Sequence, residues 1–181
     1  MKQMRRHNRF SSRNLRNPPV LALLAALLGT LALPPLACGG QTVTVTQVTA
    51  TTAAVNDLDV YRKQINELGK RADSVNTEYR DLVNRNIAGQ ATDAELAAKA
   101  DQDVKVYEQI CADVTEMDVP RDARQAHNLF ISGFNKWLAA YSKYKQGYRD
   151  NNGDALEKAS DLDNQAAIDV NQAVFQVNQL E

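Results

Sequence analysis

The chain has 181 residues, enough for one domain with a sizeable core plus appendages, and its formal net charge of −1 hides an asymmetry. Residues 1–37 carry Lys2, Arg5, Arg6, Arg9, Arg13 and Arg16 and no acid, which leaves 15 basic against 22 acidic residues in 38–181. That acidic balance excludes nucleic acid as an expected partner, because binding phosphate needs clustered cations, and it disfavours adsorption to anionic lipid heads.

Residues 1–19 are basic and polar, and Val20–Leu33 is an apolar run of 14 residues. A positive segment followed by an apolar run too short for a comfortable span is the layout of a secretory signal peptide. Arg5-Arg6 suggests a twin-arginine signal, but His7-Asn8-Arg9-Phe10 fits that pattern poorly, and a basic leader accounts for the pair. Next comes Pro34-Pro35-Leu36-Ala37-Cys38-Gly39-Gly40. This stretch resembles the lipobox of bacterial lipoproteins. The resemblance covers about 20 residues and implies cleavage between Ala37 and Cys38, with acyl chains on Cys38 as the partner of the membrane. The family usually has Leu three places before the cysteine, where this chain has Pro35, with Leu36 one place later. Plain cleavage to a soluble chain and retention as an uncleaved anchor are the alternatives. Charge layout, length of the apolar run and placement of the cysteine favour lipidation, since two or more acyl chains hold a protein stably.

From Gln41 to Thr52 the sequence is uncharged, with threonine at 42, 44, 46, 49, 51 and 52. It lacks the apolar mass to fold alone, so residues 38–56 are expected to form a flexible tether reaching about 60 Å at most.

From residue 57 onward apolar residues recur at threes and fours, the signature of helices with one buried face. The first stripe is Leu58, Tyr61, Ile65, Leu68, Ala72, Val75, Tyr79, Leu82, with Gly89 as its stop. Thr92-Asp93-Ala94-Glu95 reads as a capping box opening the second, Leu96 to Met117. Pro120 suits the first turn of a third, whose face is Ala123, His127, Phe130, Phe134, Trp137, Tyr141, Tyr144, Tyr148. Asn151-Asn152-Gly153 ends it, and the fourth buries Leu156, Ala159, Leu162, Ala166, Val170, Ala173, Val177, Leu180. The expected helices are about 57–88, 93–117, 120–149 and 154–180. Short connections make successive helices antiparallel, so an all-α, up-down-up-down four-helix bundle is predicted over 57–181. The large side chains of the third helix are expected to face the alanines of the fourth.

The aromatic stripe of the third helix reads first as core. If a ligand surface exists, it is expected at Trp137, Tyr141, Tyr144 and Tyr148, at a wetter bundle end rimmed by Lys143, Lys145 and Arg149. His127 is a weak metal candidate, since a lone histidine on a core stripe is usually structural. No paired Glu-x-x-His motif exists, which argues against a di-iron bundle. Cys111 reads as a small buried hydrophobe; were Cys38 not acylated, a Cys38–Cys111 disulfide would become available. The acids, among them Asp101, Asp103, Asp113 and Asp163, are expected on outer faces.

No catalytic motif and no cofactor is expected. The expected function is that of a lipid-anchored, extracytoplasmic, non-enzymatic binding or interaction module of the bacterial cell envelope, with a protein or small-molecule partner. The alternative is an envelope ligand or metal sensor or carrier with a pocket inside the bundle near the aromatics of the third helix. An internal cavity with convergent polar groups favours the carrier, and an apolar surface patch favours the interaction module.

Overall fold

A computed structural model describes the backbone of residues 45–180 and the side chains of 57–180; Ala37 and Cys38, with the expected signal peptide and cleavage site, lie outside the described residues. The described residues form four α-helices: α1 (Val45–Ile87), α2 (Asp93–Thr115), α3 (Arg124–Asp150) and α4 (Gly153–Asn178). The fold is the predicted all-α four-helix bundle.

Each boundary has a local cause. Gly89, at φ 73, takes the left-handed conformation after α1 that a side chain disfavours. Thr92 caps α2 as a reciprocal box, its Oγ1 accepting from Glu95 N–H while the Glu95 carboxylate accepts from Thr92 N–H. Pro120 stands before one 3-10 turn, Arg121–Ala123, so α3 starts four residues later than expected. Asn151, left-handed at φ 49, closes α3, and the Asn152 side chain caps α4 through Ala155 N–H.

One boundary departs widely from expectation. The helix predicted to begin at 57 begins at Val45, so the backbone of 45–56, expected as tether, continues α1. Propagating an existing helix needs no new nucleus, which is how a segment with no core of its own can remain helical.

Cross-helix contacts set the topology. Asn86 meets Asp93, Glu78 meets Lys99 and Arg71 meets Asp113, so α1 and α2 run antiparallel. Lys145 with Asp101 and Tyr107 with Trp137 do the same for α2 and α3, and Trp137 with Asp163 and Lys136 with Asp169 for α3 and α4. Tyr61 faces His127 and Tyr79 faces Tyr144, numbers rising together, so α1 and α3 are parallel across the bundle.

The backbones of α3 and α4 approach at Gly133, where a Cβ would stand 2.5 Å from Val170 Cγ2 and 3.1 Å from the Ala166 carbonyl. Three rings of α3 also pack on rings of α1 and α2: Tyr141 on Tyr79 at 5.0 Å and on Tyr107 at 5.2 Å, Tyr144 on Tyr79 at 5.2 Å, and Trp137 on Tyr107 at 5.9 Å. Glycine on α3 thus lets α4 close in, while ring-on-ring packing draws α1 and α2 onto α3. The α1–α4 edge is left the most open.

Candidate functional site

That open edge forms a cleft of about 60 Å³ between α1, α3 and α4. Its floor is Phe130, Phe134 and Trp137 of α3, which follow one another at 6.1 and 6.0 Å between ring centres. Ile65, Gly69, Ala72 and Asn76 form the α1 wall, and Val170, Val174 and Val177 the α4 wall. Arg62, Asn66, Asp73, Arg80 and Asn178 bring polar groups to it. Gly69 lies between Ile65 and Ala72 on the α1 wall.

Arg62 closes one end. Its Nη2 donates to the Leu180 carbonyl at 2.7 Å and more weakly to that of Val177, satisfying acceptors that the end of α4 leaves free, and Nη1 reaches Asp59 at 3.4 Å. Its Nε is buried without a hydrogen-bond partner. A buried, unmade hydrogen bond of this kind costs about 1–3 kcal/mol.

At the α1 wall lies a polar knot. Asn76 Oδ1 accepts from Tyr107 at 2.8 Å and from Tyr141 at 3.0 Å, joining α1, α2 and α3 through one atom. Burial raises both tyrosine hydroxyls well above their ordinary range, so they stay protonated and donate. Trp137 donates its indole N–H to Asp163 Oδ1 at 2.7 Å.

No protein family, curated protein or solved structure compared with the chain matches it. The chemistry of the site is carried by its own residues.

Several expected site residues sit elsewhere than predicted. Trp137 and Tyr141 are buried core residues rather than groups at a wet bundle end. Tyr144 and Tyr148 are half-buried beside the core, and neither lines the cleft. Of the four aromatic residues expected to form a ligand surface, only Trp137 does line it. Two acids expected outside are not there: Asp103 is 1% exposed, with Oδ1 on Lys99 at 2.7 Å, and Asp163 is half-buried under Trp137. Burial raises the pKa of both carboxyls despite these partners. Asp103 Oδ2 and the Tyr79 hydroxyl are buried without hydrogen-bond partners.

His127 is buried, its Nδ1 3.4 Å from the Tyr61 hydroxyl and its ring hydrogen-bonded to the Val114 backbone. Burial lowers its pKa, favouring neutral imidazole. Among the described residues no three His, Cys, Asp or Glu side chains gather in a way that could hold a metal ion. Cys111 is half-buried, and burial raises its thiol pKa, the reverse of an activated nucleophile.

Sequence reasoning missed Arg62 and Gly69. Arg62 follows the core residue Tyr61 like any boundary arginine, and nothing local shows that it spans to the end of α4. Gly69 in the interior of a helix was a legible signal, since glycine there costs about 1 kcal/mol relative to alanine and needs a reason.

A second surface stands out on α4. From 164 to 178 the helix carries one charged residue, Asp169, engaged by Lys136 and Ser132. Its outer stripe is Gln165, Ile168, Asn171, Gln172 and Phe175, with Ile168 63% and Phe175 65% exposed. No helix among the described residues is long and apolar enough to cross a membrane.

Proposed function

We propose that the protein is a lipid-anchored, extracytoplasmic, non-enzymatic interaction module of the bacterial cell envelope, held by acyl chains on Cys38 and offering the outer face of α4 to a protein partner. The observation that carries the interaction is the pairing of Ile168 and Phe175, seven residues apart on one face and flanked by uncharged amides. Large apolar side chains on a charge-free helical face are what a helix-in-groove contact uses, and burying each contributes about 1.5–3 kcal/mol. The anchor rests on the basic leader, the apolar run and the small residue before Cys38.

The anchor is tested by the intact mass of full-length protein extracted from host membranes beside a Cys38→Ala variant. Acyl mass on a chain beginning at Cys38, lost together with membrane association in the variant, supports it; an unacylated chain in the medium sinks it. For the surface, Ile168→Lys and Phe175→Lys should abolish crosslinking to a specific envelope protein while leaving helical content unchanged. Crosslinks that persist unaltered in both variants would refute the assignment of this face.

A second reading, a ligand carrier, is favoured by the cleft and its floor of three aromatic rings.

A further inference from the structure

We infer that the outer face of α4 pairs with the same face of a second copy of this chain, the two helices running antiparallel about a two-fold axis, an inference that rests on the reading of that face as a protein-binding surface.

The pattern of the face selects its own copy. Between 165 and 178 the exposed residues of α4 are Gln165, Ile168, Asn171, Gln172, Phe175 and Asn178. A two-fold axis between positions 171 and 172 sets Ile168 against Phe175 of the second copy, Asn171 against its Gln172, and Gln165 against its Asn178. Every apolar residue then meets an apolar one and every amide an amide. A side-chain amide carries both donors and an acceptor, so one amide satisfies another without a charge on either side. An isologous contact requires this self-complementarity, because each pairing occurs twice across the axis.

Charge sets the place and the direction. Residues 38–181 hold 15 basic and 22 acidic residues, so two copies repel over most of their surfaces. On α4 that repulsion is least from 164 to 178, where the one charge, Asp169, is met by Lys136 at 2.5 Å. A strongly acidic or basic partner would find no opposite charge on this stripe. Asp161 lies seven residues before Ile168 on the same exposed stripe, and parallel pairing would set it against Asp161 of the second copy. Antiparallel pairing avoids that like-charge contact, since the position opposite Asp161 lies past Asn178, where the second α4 ends. It also opposes the two helix dipoles.

Size sets the strength. The paired stretch spans about 20 Å of helix axis. One helical face of that length is small beside the roughly 1,200–2,000 Å² of a stable interface, so the dimer is weak and reversible.

The test puts a photoreactive side chain in place of Gln165 in two differently tagged copies of the full-length chain, expressed together in host cells. Irradiation is expected to give a product carrying both tags, with the new bond in the segment around Asn178. Ile168→Lys and Phe175→Glu should each cut that product about tenfold or more, because each sets a charge against an apolar side chain. Combined in one chain, the two substitutions oppose unlike charges across the axis, so the double variant should yield more product than either single variant. A double variant below both singles, or a bond near position 165 of the second copy, would overturn the antiparallel pairing. Products with a different envelope protein alone would overturn the second copy while leaving the α4 face as a docking surface. No product of any kind would overturn both.

Discussion

Asp163 on α4 accepts the indole N–H of Trp137 on α3 at 2.7 Å, so the floor of the cleft is held from behind by a half-buried carboxylate. Burial raises the Asp163 pKa more than Trp137 and Arg80 lower it, so the charged form is a net cost to the fold. A folded pKa above the unfolded one contributes stability below about pH 3.9, and that contribution is lost as pH rises through the folded value. Asp163→Asn keeps an acceptor oxygen and carries no charge. It should be at least as stable as the wild type at pH 7, with the difference closing toward pH 4. Asp163→Leu, which strands the indole N–H, should lose about 1–3 kcal/mol at pH 7. Urea unfolding at the two pH values checks both.

Asn76 is the shared acceptor of two buried tyrosines, so truncating it should cost more than removing either donor. Asn76→Ala leaves the Tyr141 hydroxyl without its partner and Tyr107 with only a 3.4 Å contact to the Ala72 carbonyl. A loss of about 2–4 kcal/mol is expected, against about 0.5–1.5 kcal/mol for Tyr141→Phe. The midpoints of denaturant unfolding decide. Equal effects would mean that Asn76 is not the joint of three helices.

His127 is held neutral by burial, with Tyr61 and the Val114 backbone as partners. Its lowered folded pKa contributes stability that is present above about pH 6.5 and lost as pH falls through the folded value. His127→Gln removes that dependence. Between pH 7 and pH 5 the wild type should therefore lose more stability than the variant, measured by thermal melting at each pH. Parallel profiles would show that His127 does not titrate with unfolding.

Gly133 sets the distance between α3 and α4. Alanine there gains about 1 kcal/mol of helix propensity, yet its Cβ would fall 2.5 Å from Val170 Cγ2. Overpacking should win, with Gly133→Ala destabilised by about 1–3 kcal/mol and partly rescued when combined with Val170→Ala. A Gly133→Ala variant more stable than the wild type would show that α4 yields freely.

The aromatic residues of α3 illustrate how far local pattern reaches. Their spacing of three and four placed them on one buried stripe of a helix, and the stripes of α1, α2 and α4, with the Thr92 capping box and the Asn151–Gly153 break, were legible in the same way. Those features arise from interactions within a few residues, so a linear sequence records them. Which stripe each ring meets is a different kind of question. Tyr141 meets Tyr79 and Tyr107, and Trp137 meets Tyr107 of α2 and Asp163 of α4, partners far along the chain that no local spacing encodes. Asp103 and Asp163 looked like surface acids because their burial depends on neighbours far along the chain. The reach of Arg62 to the Leu180 carbonyl, across 118 residues, follows the same rule. The sequence alone determined the helices, their order and the core stripes; tertiary packing decided the open α1–α4 edge and the groups that converge on it, because a cleft is defined by where packing stops.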